Sequence, residues 1–104
     1  MADRRYQLRF LPLFEDDLDK IVDYMVTRLE NPCAASRFID AVEQSVLERT
    51  ACAEAFEQYH SSKERQYPYY RIYVQQYIIF YVVIDDVMEV RRIIHNRRDI
   101  KEHI

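Results

Sequence analysis

The sequence predicts an α+β domain in which a two-helix hairpin packs on one face of a small twisted antiparallel β-sheet. Apolar residues recur at helical spacing over residues 12–29 and again over residues 32–46. Further along, apolar and aromatic residues fill three consecutive runs, and a two-residue polar turn separates each run from the next. With one short strand ahead of the first helix, the expected element order is β-α-α-β-β-β.

The first strand and the first helix are predicted from their periodicity. Tyr6, Leu8 and Phe10 alternate with polar residues, which is typical of a half-buried strand. Pro12 suits the first position of a helix, and apolar residues continue from it at helical spacing for about 17 residues. Acidic residues follow Pro12 closely, where the helix dipole favours negative charge. An amphipathic helix should therefore follow the strand.

The second helix is predicted from its start signal. Asn31 is a good N-cap residue, and Pro32 suits the first helical position. Ala35, Phe38 and Val42 follow at helical spacing and are expected to lie on the inner face. Because a short connection joins the two helices, they should form an antiparallel hairpin.

The three apolar runs predict consecutive antiparallel strands at residues 69–74, 77–84 and 87–95, with tight turns at Gln75-Gln76 and Asp85-Asp86. Glycine is absent from the chain, so these turns must place other residues in left-handed conformations. Because both helices cover the same face of the sheet, we expect the opposite face to be open to a binding partner.

Composition limits the class of protein. With 104 residues, 49% of them apolar, the chain is expected to form a single domain over 1–104. Its longest apolar run, residues 77–84, is far shorter than the roughly 20 residues that span a bilayer, and its start lacks signal-peptide features. We therefore expect a cytoplasmic protein without membrane contact. No glycine-rich loop, cysteine pair or carboxylate constellation occurs at ligand spacing, so no metal or cofactor is expected.

Charge is distributed unevenly along the chain. Residues 1–60 carry seven Lys or Arg and twelve Asp or Glu, a net charge of −5. Residues 61–104 carry eight and six, a net charge of +2. A basic C-terminal part could meet an anionic partner, because a local cluster dominates the field near it. The alternative is a solvated surface of mixed charge.

An ordered set of short motifs runs through the chain. They are Phe10-Leu11-Pro12, Asp17-Leu18, Asn31-Pro32, Tyr70-Arg71-Ile72, Tyr77 to Tyr81 and Val90 to Asp99. In this order, over roughly residues 6 to 100, the chain resembles the RelE/ParE superfamily of toxins. The resemblance implies the toxin of a type II toxin-antitoxin system of the plasmid-stabilisation kind, which inhibits growth and is neutralised by a cognate antitoxin encoded beside it.

Two different actions occur on this fold, and the fold alone does not choose between them. RelE-like members are ribosome-dependent endoribonucleases that cut mRNA, whereas ParE-like members poison DNA gyrase and are not nucleases. The first hypothesis is a metal-independent mRNA interferase. The alternatives are a gyrase inhibitor and an attenuated module that only binds its antitoxin. None of these needs a small-molecule cofactor.

Three residues are candidates for catalysis under the nuclease hypothesis. By the resemblance, Arg71 would hold the phosphate and Arg97 would stabilise the charge that builds on phosphorus in the transition state. His95 has a side chain whose pKa is ordinarily near neutrality, so it is the natural general acid or base. All three belong to the last third of the sequence.

Three further residues are candidates for RNA binding. Tyr73 or Tyr77 could stack on a base or orient a phosphate oxygen. Arg98 could contact the RNA backbone, although an ion pair with Glu102, four residues on, is the alternative for this side chain.

Several of these residues also have purely structural interpretations. Arg71 could pair with an acidic neighbour on the sheet, His95 could simply end the last strand, and Arg92 could form an ion pair under the helices. Tyr73 and Ile78 stand where RelE-like nucleases usually carry basic residues, and losing one such donor typically costs about a hundredfold in rate. This departure, like the long helical hairpin, is more similar to ParE-type members, in which the hairpin has been linked to gyrase.

Overall fold

A computed structural model describes residues 5–59 and 66–96 of the chain. Over these residues the chain forms two helices and a five-stranded sheet. The elements are β1 (Gln7–Phe10), α1 (Pro12–Thr27), α2 (Pro32–Arg49), β2 (Gln58–Tyr59), β3 (Tyr69–Val74), β4 (Tyr77–Ile84) and β5 (Val87–His95). The predicted α+β class and the helices on one face of the sheet are confirmed, and the bounds of the three long strands are those predicted.

The sheet has the order β1-β5-β4-β3-β2, and it is mixed rather than wholly antiparallel. The strands β3, β4 and β5 pair antiparallel, as predicted, whereas β1 pairs parallel to β5 with Gln7 opposite Val87. The prediction of an all-antiparallel sheet is wrong at this strand, because an alternating pattern identifies a strand but not its partner or direction. The short β2, which pairs antiparallel with β3, carries no periodic signal and was not predicted.

The helices form the predicted hairpin over one face of the sheet. The side-chain Oδ1 of Asn31 accepts a hydrogen bond at 3.1 Å from the backbone N–H of Ala34, which confirms the predicted N-cap of α2. The buried residues between helices and sheet are Phe14, Met25, Phe38, Val42 and Val46 from the helices and Ile72, Val74, Ile79, Met88, Val90 and Ile93 from the strands. Neither helix combines the length and the apolar surface that a bilayer-spanning segment needs.

Both hairpin turns use a residue in the left-handed region, as the absence of glycine requires. The φ angle is 54° at Gln75 and 57° at Asp85. A third such residue, Glu30 with φ 50°, lies in the connection between the helices. For residues with a Cβ atom this conformation costs roughly 1–2 kcal/mol each, less for Asp than for Gln or Glu.

A β-bulge changes the alternation of side chains along β5. Phe80 pairs with Arg92 and Tyr81 pairs with Val90, so Arg91 is an extra residue on its strand. As a result Val90 and Ile93, three positions apart, both pack in the core under the helices. Arg92 reaches α1 instead, and its ion pair with Asp17 confirms the structural interpretation of this arginine.

The sheet face opposite the helices is only partly open, because its centre is buried whereas Tyr73 of β3 is 59% exposed. Ile78, Phe80 and Val82 of β4 point to this face and are at most 2% exposed. Aromatic side chains cover part of it, because the ring of Phe80 lies 5.3 Å from that of Tyr59 and 5.7 Å from that of Tyr69. These strands therefore need no external partner to explain apolar residues on both of their faces.

Candidate functional site

His95 lies at the end of β5, beside the helices. It pairs across the sheet with Tyr77, and the two rings meet edge to face with their centroids 5.3 Å apart. Tyr77 also packs against Phe38 of α2 at 5.1 Å. Both predicted site residues, His95 and Tyr77, therefore lie on the helix-covered face of the sheet.

A groove opens around these two rings, between the end of α1 and the β3–β4 turn. It has a volume of about 570 Å³ and is lined by Lys20, Ile21, Tyr24, Met25, Leu29, Gln75, Gln76, Tyr77 and His95. Smaller cavities of about 220 and 270 Å³ also have His95 in their walls. An ammonium group, an imidazole, two amides and exposed aromatic surface can bind an anionic or planar group on a partner.

Arg71 and Tyr73 lie on the other face of the sheet. Their neighbours Tyr70, Ile72 and Val74 pack in the core under the helices, so alternation along β3 directs Arg71 and Tyr73 away from it. The structure thus places the candidates Arg71 and His95 on opposite faces. It does not bring them together around one substrate atom.

Arg71 contacts aromatic rings rather than the acidic neighbour considered from the sequence. Its guanidinium carbon lies 5.1 Å from the centre of the Tyr59 ring and 5.8 Å from that of Tyr73. Within residues 5–59 and 66–96 it forms no salt bridge. Tyr73, at 59% exposure, is the most exposed of the large hydrophobic side chains there. Arg97 and Arg98, the remaining predicted site residues, lie outside the described residues.

Two carboxylates hold the other strand arginines, and one of these two clusters has no signal in the sequence. Glu89 accepts hydrogen bonds from Arg9 and from Arg91, each at 2.9 Å. Burial alone would raise the pKa of the Glu89 carboxyl, but the two arginine hydrogen bonds outweigh it and hold the pKa below its usual value. The cluster depends on the parallel pairing of Arg9 with Glu89, for which the sequence carried no signal.

Asp17 forms the second of these arrangements. Its carboxylate accepts hydrogen bonds from Arg92 at 2.7 Å (Nε) and 3.0 Å (Nη2) and from the backbone N–H of Ile93 at 3.2 Å. Because β1 ends at Phe10, this N–H lies on a stretch of β5 that β1 does not cover, and α1 supplies the missing acceptor. Arg92 is therefore engaged in holding α1 on the sheet.

Arg49 has a similar structural role at the end of α2. Its Nη1 donates to the hydroxyl oxygen of Tyr81 and to the backbone carbonyl of Arg71, both at 3.0 Å. The Tyr81 hydroxyl in turn donates to the carbonyl of Ala53 at 2.6 Å. Burial raises the pKa of Tyr81 to about 12, against the lowering effect of the Arg49 hydrogen bond. This buried network fixes the end of α2 to the middle of the sheet.

Comparison with known proteins identifies a family through a family model, and comparison with solved structures shows the same fold. A family model described as "ParE toxin of type II toxin-antitoxin system, parDE" matches residues 8–100. Among solved structures, a chain of "Chromosomal ParDE TA system from P. aeruginosa" superposes with a TM-score of 0.71 at 17% sequence identity, over 88% of this chain and 97% of that chain. At this identity the match shows the shared fold. The comparison with curated proteins found no match.

Proposed function

The chain belongs to the ParE toxin family of type II toxin-antitoxin systems, and from this premise we propose that it inhibits growth by acting on DNA gyrase rather than by cutting mRNA. Its cognate antitoxin neutralises it, and its action takes place in the cytoplasm, where gyrase works. Neither a metal nor a small-molecule cofactor is part of this proposal.

The observation that carries the proposal is the separation of Arg71 from His95. Metal-free cleavage of RNA needs an acid, a base and a cation within hydrogen-bond reach of one phosphate, which is about 2.6–3.2 Å for each proton transfer. A phosphate bound by Arg71 would lie on the face of the sheet away from His95. The arrangement therefore favours an action that needs no such constellation.

The ion pairs of the other strand arginines also favour action on gyrase over mRNA cleavage. Arg92 is bound by Asp17, and Arg9 and Arg91 are bound by Glu89. The Arg92–Asp17 pair is largely buried, and taking one partner from a buried ion pair typically costs about 3–5 kcal/mol, so Arg92 is poorly available to a phosphate. The side chains of Arg9 and Arg91 are 53% and 29% exposed, so their pairs with Glu89 hold them less firmly. Tyr73 and Ile78, at positions where RelE-like nucleases carry basic residues, lie directly opposite each other on β3 and β4.

Exposed apolar side chains at the tip of the helical hairpin fit contact with a protein target. Tyr24 and Leu29 are 49% and 56% exposed, and both line the groove beside His95. Clustered apolar exposure of this kind is typical of protein-protein contact sites. A net charge of −3 is also better suited to a protein surface than to ribosomal RNA, where phosphate neutralisation supplies much of the affinity.

The test measures both activities of the purified toxin. We expect it to block supercoiling of relaxed plasmid by gyrase and to leave mRNA intact in a translating ribosome preparation. Leu29→Glu should raise the concentration needed for half-inhibition of gyrase at least tenfold, whereas Leu13→Glu, an equally drastic change at a 49%-exposed position of α1, should not. Arg71→Ala, on the opposite face of the sheet, should inhibit gyrase as the wild type does.

Two other results would contradict the gyrase proposal. Ribosome-dependent mRNA cleavage that disappears in Arg97→Ala or His95→Ala, with gyrase unaffected, would restore the nuclease hypothesis. Absence of both activities and of any growth defect would leave a module that only binds its antitoxin.

A further inference from the structure

The groove beside His95 has one apolar wall and one polar wall. Four side chains of α1 and its C-terminal end form the apolar wall: Ile21, Tyr24, Met25 and Leu29. On the polar side, a smaller cavity shares Gln75, Gln76 and His95 with the groove and extends to Asn96. A segment that fills this recess is therefore best matched if it is apolar on one side and polar on the other.

The polar wall offers several hydrogen-bond donors. Lys20 carries an ammonium group, and Gln75, Gln76 and Asn96 each carry a side-chain amide. All four residues are exposed. The backbone N–H of Asn96 donates to the Gln76 carbonyl at 2.8 Å, which holds the end of β5 against the β3–β4 turn and keeps the three amides close together. Donors collected in this way suit an oxygen-bearing anion such as a carboxylate or a phosphate.

The charge of the groove is opposite in sign to that of the whole protein. The chain has a net charge of −3, yet no Asp or Glu is among the described residues that line the groove. Lys20 forms no salt bridge with a described carboxylate, although Asp16 and Asp23 lie one turn away from it on α1. Asp17 lies in an adjoining cavity, but Arg92 neutralises its charge. The groove therefore favours an anionic group on its partner.

We infer that this groove binds an acidic segment of gyrase, with a carboxylate held by Lys20 and the amides of Gln75 and Gln76 and an apolar side chain seated against Tyr24 and Leu29. The inference rests on the proposed action on gyrase and adds the chemistry of the contact. Burial of the apolar side chain would supply most of the affinity, and the charge pairing at Lys20 would orient and select the segment.

A phosphate of DNA suits the groove less well than a carboxylate on a peptide. A phosphate would satisfy the donors but would leave the apolar wall without an apolar partner. Sites for nucleic acid also combine several basic side chains, because each neutralised phosphate adds to the affinity. Lys20 is the one Lys or Arg among the described residues that line the groove. A peptide that carries a carboxylate next to an apolar side chain matches both walls.

Charge reversal at Lys20 tests the inference, with binding of the toxin to intact gyrase measured in the absence of DNA. Lys20→Glu should weaken binding at least tenfold, and the loss should shrink at high salt, which screens exposed charges. Arg37→Glu makes the same change of charge at an exposed position of α2 outside the groove and should bind as the wild type does. Equal binding by the wild type and Lys20→Glu would overturn the inference, as would equal losses in both variants.

A change of nearly constant shape at Gln76 tests the same contact from the opposite wall. Gln76→Glu replaces an amide donor with a carboxylate, which should repel the acidic segment and weaken DNA-free binding about tenfold. Gln44→Glu, at an exposed position of α2 outside the groove, is the matched control and should have no effect. Full binding by Gln76→Glu would contradict an acidic partner.

Three further outcomes identify a different occupant or a different error. A loss in Lys20→Glu that appears only when DNA is present would overturn the acidic segment in favour of a DNA phosphate. Dimers of the free toxin that Lys20→Glu dissociates would overturn it in favour of a second copy of this chain. Inhibition of supercoiling is scored separately: a wild type that leaves gyrase active contradicts the proposed function, whereas inhibition by the wild type and Lys20→Glu at the same concentration contradicts the inference alone.

Discussion

At the scale of single residues, Asp17 connects the helices to the sheet more firmly than its place among exposed acidic neighbours suggests. It receives two hydrogen bonds from Arg92 and one from the backbone of Ile93. Both side chains are largely removed from solvent, with 13% of Asp17 and 16% of Arg92 exposed. A buried pair of this kind is costly to break, because one charge is left without a partner.

Asp17→Ala is therefore expected to lower the free energy of unfolding by about 3 kcal/mol, since Arg92 and the Ile93 N–H both lose their acceptor. Asp16→Ala, at the adjacent exposed position, should change it by less than about 0.5 kcal/mol. Urea denaturation of the two variants measures the difference. Equal stability of both variants would mean that the ion pair contributes nothing net.

Tyr81 makes the stability of the fold sensitive to alkaline pH. Its folded-state pKa of about 12 lies above the ordinary value of 10.0, so the unfolded chain releases this proton first. The contribution of the protonated Tyr81 hydroxyl to the free energy of unfolding is therefore present in full below pH 10 and is lost as the pH rises from 10 towards 12. Between pH 10 and 11 the free energy of unfolding of the wild type should fall by about 1 kcal/mol more than that of Tyr81→Phe.

Urea denaturation at pH 9, 10 and 11 measures this loss for the wild type and for the variant. Tyr24→Phe is the matched control, because Tyr24 is 49% exposed, and this variant should follow the wild type. Parallel pH profiles for wild type and Tyr81→Phe would contradict the expected role of the buried hydroxyl.

At the scale of elements, the predictable parts are those with a local signal. Periodicity placed the long strands, and the Asn31-Pro32 pair placed the start of α2. The direction of β1, the short β2 and the bulge at Arg91 carry no local signal, because each is decided by which strand lies alongside. The two hairpin turns are intermediate: their positions were predictable, and their left-handed residues follow from the missing glycines.

The β3–β4 turn offers a direct measurement of that backbone strain. Gln75→Gly should raise the free energy of unfolding by about 0.5–1 kcal/mol, because glycine adopts a φ of 54° without a Cβ clash. Gln76→Gly, one position on, has no positive φ to relieve and should be neutral or destabilising. Thermal unfolding of the two variants checks this. A gain at Gln76 and none at Gln75 would contradict the assignment of strain.

At the scale of the whole molecule, charge is divided between the helices and the strands as well as along the chain. Residues 12–49, which contain both helices, carry four Lys or Arg and nine Asp or Glu, whereas the five strands carry four Arg and one Glu. Three of those arginines are bound by Asp17 and Glu89. Of the arginines in the basic C-terminal part, the structure pairs Arg91 with Glu89 and Arg92 with Asp17, and composition does not indicate the second pairing because it joins residues 75 positions apart.

The candidate site was predictable to the same limited extent. The sequence identified residue types suited to phosphate chemistry, and the resemblance proposed roles for them. It did not show that β3 directs Arg71 to one face while the bulge in β5 leaves His95 on the other. A single inserted residue changes the side of every residue after it, and short-range patterns do not contain that information.

The parallel pairing of β1 with β5 also determines when the sheet can finish folding during translation. β1 leaves the ribosome first, and the strand that it pairs with is made 80 residues later, since Gln7 lies opposite Val87. Contacts of such high sequence separation close slowly and late. The nascent toxin therefore emerges with its helices and first strand exposed and with the sheet incomplete, and it becomes a finished fold only when the last strand is free of the exit tunnel.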